Sequence, residues 1–169
     1  KDNEIVSKSE QTEEKEINPI VLKQLKSLKN SMDSHKLSVN DILKYIKDNL
    51  PKGYKIKIYK LKVNDKLFPL TAAVGQGSQY NSYFVHICKK TENKKGKNIV
   101  FIGKSITYDS GGLNIKVREM NLMKTDMTGS AIILNVLNLL VSTNQDKNNI
   151  HLLIPIAENM VGSKAVRPG

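Results

Sequence analysis

Tryptophan is absent from this 169-residue sequence, phenylalanine occurs 3 times and cysteine once. A single cysteine excludes an internal disulfide. Cys88 sits inside the apolar run Tyr83–Cys88, which predicts a buried structural thiol, because a reactive one needs exposure and a positive surrounding. A reducing compartment fits, and cytoplasm is the expected location. Arginine is also scarce: of 27 basic residues only Arg118 and Arg167 are arginine, so the net charge of +11 is almost all lysine. Those lysines are scattered among Asn and Asp rather than gathered on one stripe, whereas phosphate and base readout favours clustered arginine. A nucleic-acid partner is therefore not expected. No apolar run reaches membrane-spanning length and no signal-like stretch opens the sequence, so a membrane partner is not expected either. Internal repeats are missing. Gly75-Gln76-Gly77 lacks the third glycine of a dinucleotide loop, and there is no Gly-rich Lys-Ser/Thr phosphate loop.

What is present is a modest globular composition, 39% hydrophobic and 5% aromatic, enough for one domain with a core or for a piece of a larger one. Residues 1–18 are charged and polar and read as a linker or disordered segment. Helical spacing runs through 19–49, first with Ile20, Val21, Leu25 and Leu28, then with Val39, Ile42, Leu43 and Ile46, the second stretch capped by Ser38 and closed by Pro51 and Gly53. Tyr54–Tyr59 alternates with period two and predicts an edge strand with Lys55 and Lys57 on one face. Three short apolar runs follow, at Thr71–Val74, Tyr83–Cys88 and Ile99–Ile102, with the polar stretch Lys89–Lys97 as a hairpin-like connection. Thr128–Val141 is a helix apolar nearly all round, which requires burial in a larger body. Ile150–Ile156 is a fully buried strand ending at Pro155. This order predicts an α/β layer structure with a mixed, partly parallel sheet flanked by helices.

Chemistry concentrates after the third run. Gly103-Lys104-Ser-Ile-Thr-Tyr-Asp109-Ser-Gly-Gly-Leu-Asn-Ile-Lys116 places two lysines and a carboxylate around a Gly-Gly turn, and Met123-Lys-Thr-Asp126-Met-Thr-Gly adds a second carboxylate where a helix begins. Ligands in open α/β sheets sit at the carboxyl ends of strands, which is where this segment and Ala157–Gly169 fall. Each residue taken alone has a plainer reading. Lys104 could be a solvated charge, Asp126 a helix cap, Asp109-Ser-Gly-Gly an ordinary turn and Met123 core. Glu158 and Asn159 could satisfy backbone groups of a loop. His35, His86 and His151 lack the spacing of a zincin motif and are expected to pack or face solvent rather than form a ligand set.

Taken in order, these blocks resemble the first half of the active site of the leucine aminopeptidase (cytosol aminopeptidase) family. The matching stretches are Ala73-Val-Gly-Gln-Gly-Ser78, Lys104, Asp109-Ser-Gly-Gly, Lys116, Met123-Lys-x-Asp126-Met, Ala157-Glu-Asn-Met160 and Arg167-Pro-Gly169. The likeness covers roughly residues 38–169. It implies a two-metal hydrolase, using Zn²⁺ or Mn²⁺, that releases N-terminal, mostly apolar amino acids from peptides with a hydroxide bridging the two metals. It further implies that Asp109 bridges the ions, that Asp126 binds one, and that Lys104 is an unusual amine ligand. An amine binds only when neutral, so burial and the ions themselves must strip its proton. Lys116 stays an ammonium and donates to the oxyanion, Met123 lines the pocket for the first side chain, and Lys104, Asp109 and Lys116 also face substrate. A homohexamer and a bicarbonate near Lys116 belong to the same set of implications. Residues 19–169 thus read as the N-terminal portion of an aminopeptidase catalytic domain. The family's second ligand motif, Asn-Thr-Asp-Ala-Glu-Gly-Arg, would follow Arg-Pro-Gly, and the sequence stops at Gly169. The loop from Lys116 to Asp126 is slightly short and lacks the usual Pro, and Ser105 stands where the family has Gly. The expectation is an incomplete site, inactive by itself; the alternative is a truncated or degenerate relative serving as a structural or interaction subunit.

Overall fold

The computed structural model describes residues 37–93, 95–142 and 147–168. The charged segment 1–18, the first helical stretch and His35 lie outside these. The described elements are helix α1 (Val39–Asp48), strand β1 (Lys55–Lys60), short helix α2 (Pro69–Val74) with a 3-10 turn at Gly75–Gly77, strands β2 (Tyr83–Lys89), β3 (Asn98–Ile102) and β4 (Ser105–Asp109), a 3-10 segment Met120–Thr125, helix α3 (Thr128–Ser142) and strand β5 (Asn149–Asn159). α1 starts as the spacing predicts: Ser38 accepts from the Asp41 N–H while the Asp41 carboxylate accepts from the Ser38 N–H, a reciprocal cap. Val39, Ile42, Leu43 and Ile46 recur at helical intervals and are all buried.

The sheet order is β1-β2-β5-β3, with β4 also on β5. β1 pairs with β2 and β2 with β5 antiparallel, whereas β3 and β4 both run parallel to β5. β5 is thus the spine, antiparallel to one neighbour and parallel to the other two, and the mixed, partly parallel sheet expected from the element order is what forms. The expected hairpin between Tyr83–Cys88 and Ile99–Ile102 does not form, because β5 inserts between β2 and β3. Thr71–Val74 is helical, started by Pro69 in its first turn.

β5 also runs past Pro155 to Asn159, which places Glu158 and Asn159 in the strand and not in a loop. A proline gives no N–H to a ladder. Ile102 pairs Leu153 and Ser105 pairs Ile156, so Gly103 and Lys104, the break between β3 and β4, fall at the level of Ile154 and Pro155. The interrupted ladder on that side therefore lies beside the residue least able to sustain it.

One sheet face is the core. Val85, Ile87, Ile150, Leu152, Ile154 and Ile156 are buried under α1 and under Ala131, Ile133, Leu134 and Leu137 of α3. The remaining side of α3 leaves Ile132 and Val141 exposed among the described residues. Met120–Ser142 is by length and composition apolar enough to cross a bilayer, against the sequence expectation. It is a 3-10 segment joined to a helix whose inner side packs on the sheet. On the opposite face Phe68 stacks on Phe84 with centroids 3.8 Å apart, at the α2 end.

Candidate functional site

Lys104 leaves the chain at the β3–β4 break because the start of α3 comes there backbone to backbone. The Ser130 N–H donates to the Lys104 carbonyl at 2.8 Å, and Ser130 Oγ donates to Ser105 Oγ at 2.9 Å. A Cβ on Gly103 would stand 2.7 Å from the Gly129 carbonyl oxygen and 2.8 Å from Ser130 Cα, and one on Gly129 would stand 2.9 Å from the Lys104 nitrogen. Two glycines thus let strand and helix touch. The contact holds Lys104 against Asp126, the residue two before α3, with Nζ and Oδ2 2.7 Å apart.

Asp109 ends β4. The turn after it uses positive φ at Gly111 (89°) and Gly112 (66°), and a Cβ on Gly111 would lie 2.3 Å from the Asn114 carbonyl oxygen. The Lys116 N–H then donates to the Ser110 carbonyl at 3.0 Å, which folds the loop back and returns Lys116 to the residue where the turn began. Lys116 Nζ donates to Asp109 Oδ2 at 2.5 Å and reaches Met123 Sδ at 3.1 Å. Lys104 Nζ stands 3.8 Å from the same Asp109 oxygen.

Asp109 Oδ1 has its own partners, the Asn159 amide at 2.7 Å and the Gly111 N–H at 3.1 Å. Burial works against the charged carboxylate, but the Lys116 and Asn159 hydrogen bonds, the Gly111 N–H and the Lys116 charge win and hold Asp109 down at about 2. Asp126 is less satisfied. Its Oδ2 is buried and accepts no hydrogen bond although the Lys104 ammonium is beside it, an ion pair without hydrogen-bond alignment.

All five residues singled out in the sequence therefore converge: Lys104 at the β3–β4 break, Asp109 at the carboxyl end of β4, and Lys116, Met123 and Asp126 from the segment that follows form one connected cluster. The burial that a neutral Lys104 would need is not there, since its side chain is 56% exposed and paired with a carboxylate. Two participants were read in the sequence only as loop residues that satisfy backbone groups and as part of the family match, with no role at the site. Asn159 orients Asp109 through its amide, while its carbonyl accepts from the Ser110 N–H and hydroxyl. Glu158 is buried between Ser78 Oγ at 2.6 Å and Arg167 Nη1 at 3.4 Å, tying the Gly75–Ser78 turn, β5 and the Arg167 segment together. The signal for both was their place in Ala157-Glu-Asn-Met160.

The structure also brings two of the histidines together. His86 and His151, from β2 and β5, lie 3.0 Å apart, Nε2 to Nδ1, and Cys88 is half-buried rather than buried. Burial, the neighbouring His151 and Lys57 together push His86 below the ordinary imidazole range.

A partly parallel α/β sheet with lysines and carboxylates gathered toward its carboxyl end matches the place where open α/β folds bind ligands, and comparison with known proteins is more specific. The signature of the "Cytosol aminopeptidase family, catalytic domain" matches residues 23–169, and the chain belongs to that family. A probable cytosol aminopeptidase of Prochlorococcus marinus (strain AS9601) is 35% identical over 120 residues, 69% of this chain and 24% of that protein. Leucine aminopeptidase A2, chloroplastic, of Solanum lycopersicum is 33% identical over 108 residues, 62% of this chain and 19% of that protein. The crystal structure of cytosol aminopeptidase from Coxiella burnetii superposes with a TM-score of 0.75 at 27% identity, over 89% of this chain and 33% of that one. The chain spans about a quarter or less of these curated relatives' length.

Proposed function

We propose that this chain supplies the first half of the active site of a metal-dependent aminopeptidase that releases N-terminal, mostly apolar residues from peptides. The observation that carries the reading is the convergence of two lysines on one oxygen of Asp109, with Asp126 paired to the first of them. A solvated turn has no need of that arrangement.

The donor set fits divalent cations. Asp109 and Asp126 are anionic oxygen donors, and the buried Asp126 Oδ2 accepts no hydrogen bond, so it has a lone pair to give. Asp109 and Asp126 would hold the ions, Zn²⁺ or Mn²⁺, with Lys104 joining them only once the ions displace its proton and its pairing with Asp126; when bound, the ions act as Lewis acids and make water acidic enough to attack at neutral pH. The chain's own contribution is orientation. Asn159 and Gly111 fix the Asp109 carboxylate from one side and Lys116 from the other. Lys116, 34% exposed, keeps an ammonium at the mouth that can donate to oxygen as negative charge develops on a scissile carbonyl. Met123 presents a flexible thioether beside it for an apolar first side chain. Bicarbonate beside Lys116, a homohexamer and a cytoplasmic location belong to this proposal through the resemblance; the tomato relative's name places that protein in the chloroplast.

A second reading, a non-catalytic structural or interaction subunit, has one observation in its favour: the two lysines and two aspartates already neutralise one another in closed ion pairs. The deciding experiment is hydrolysis of leucyl amide by the full-length gene product with Mn²⁺ or Zn²⁺ added and with chelator as control. Metal-dependent turnover that disappears in Asp109→Ala and in Asp126→Ala supports the peptidase. Folded, metal-supplied protein without turnover overturns it in favour of the structural subunit.

A further inference from the structure

The sheet face opposite the core carries a second cluster that the peptidase reading does not use. His86 and Cys88 alternate on β2 and so point to the same side. The register sets Cys88 against His151 on β5 and His86 against Leu153. His86 Nε2, Cys88 Sγ and His151 Nδ1 all lie within 4.8 Å of one another, and each side chain is half-buried. His151 is eight residues before Asn159 on β5, roughly 26 Å away at about 3.3 Å per strand residue.

We propose that His86, Cys88 and His151 form a binding site for a zinc-like divalent ion, separate from the carboxylate–lysine cluster. The two imidazole nitrogens share one hydrogen at 3.0 Å, so a lone pair from each ring already aims at a common point. An ion in place of that hydrogen, with Zn–N near 2.0–2.1 Å in a tetrahedral shell, needs the nitrogens about 3.3 Å apart, an opening of a few tenths of an ångström. The thiolate completes three ligands, leaving the fourth position to water or an incoming donor.

The surroundings select the ion. Lys55 lies opposite Cys88 and Lys57 opposite His86 on β1, so among the described residues this neighbouring strand sets lysines and no carboxylate against the two ligands, and the local charge repels cations. The Lys57 ammonium is engaged over the Tyr59 ring at 5.3 Å. A hard ion such as Mg²⁺ or Ca²⁺, held by oxygen and Coulomb attraction, has nothing here to bind. A borderline-soft ion, held by imidazole and thiolate, does. Ligands on paired strands are also fixed by the ladder, so the site is largely formed before metal arrives.

Cys88 is the single cysteine of these 169 residues, so a thiolate–metal signal that Cys88→Ser abolishes reports on this site. The test is Co²⁺ titration of the full chain carrying Asp109→Ala and Asp126→Ala, which removes the other cluster. The expected result is a sulfur-to-cobalt charge-transfer band in the near ultraviolet, saturating at one ion per chain and erased by added Zn²⁺. His151→Asn should weaken binding by more than about 100-fold, since losing even an outer-shell partner of a metal ligand costs 10–100-fold. In the unmutated chain, Zn²⁺ should slow alkylation of Cys88 at least about tenfold, and Mg²⁺ should not. Cobalt binding without the sulfur band, or alkylation indifferent to Zn²⁺, overturns the proposal and leaves a hydrogen-bonded histidine pair beside a free thiol.

Discussion

The two ends of β5 hold side chains together by different physics. At the carboxyl end the groups are charged: Asp109 and Asp126 face Lys104 and Lys116, and Asp109 is fixed by donors on both oxygens. Toward the amino end the groups are rings and a thiol, and their placement comes from strand register. Mutual charge holds the first cluster, and it depends on a turn and on a helix start pressed against a strand break. In the second, the remaining side chains would keep their places after loss of one partner, because the backbone ladder positions them. Oxygen donors under positive charge suit hydrolytic chemistry, whereas nitrogen and sulfur on a rigid sheet suit tight, static binding.

The sharpest way to break this contrast is to remove the central charge. Asp109→Ala should lower aminopeptidase turnover of the full-length protein by on the order of a thousandfold, the upper range for losing one electrostatic group at a reacting centre. It should leave the His86–Cys88–His151 geometry untouched, read as an unchanged Cys88 alkylation rate. A coupled change at Cys88 would show that the two ends are not independent. Next in size is Gly103→Ala. Its Cβ would meet Gly129 and Ser130 backbone, which cannot swing aside, so about 1–3 kcal/mol of stability should be lost. The readout is a lower urea midpoint at unchanged slope. A wild-type midpoint would mean that the strand–helix contact is looser than the glycine pair implies.

The charged cluster was legible in the sequence because its residues lie within 23 positions of chain, from Lys104 to Asp126, and because family resemblance supplied their order. Periodicity alone found α1, β1 and α3. The rest was hidden for identifiable reasons. Pro155 read as a strand end, yet a break in the neighbouring strand lets β5 continue, which carries Asn159 up to Asp109. The polar run before β3 read as a hairpin, because no local signal announces that a strand 50 residues later will insert between β2 and β3. The histidine pair was invisible for the same reason: His86 and His151 meet only through that insertion, and their spacing along the chain says nothing about it.

Asn159 gives a finer test of the charged end. Asp109 is held at about 2 against an ordinary 3.8, so the unfolded chain takes up its proton first as pH falls. The stability this contributes is complete above 3.8 and is lost between 3.8 and about 2. Asn159→Ala removes one of the donors and should move the Asp109 titration upward, with a correspondingly smaller loss of stability on acidification. Carboxyl NMR of Asp109 reads the first effect and acid unfolding the second. An unmoved titration would assign the whole effect to Lys116 and Gly111.

The smallest expected effect lies at the other end. His86 is depressed mainly by burial, with His151 and Lys57 adding to it, so the unfolded chain binds its proton more readily than the folded one below the ordinary value of 6.5. Metal-free stability should therefore rise with pH through that value, the opposite sign from a histidine that gains an acidic partner on folding. His86→Gln should flatten this shallow slope without touching the Asp109 window far below it. A slope that persists unchanged would show that His86 is not its source and that burial in the sheet does not hold this imidazole below its ordinary range.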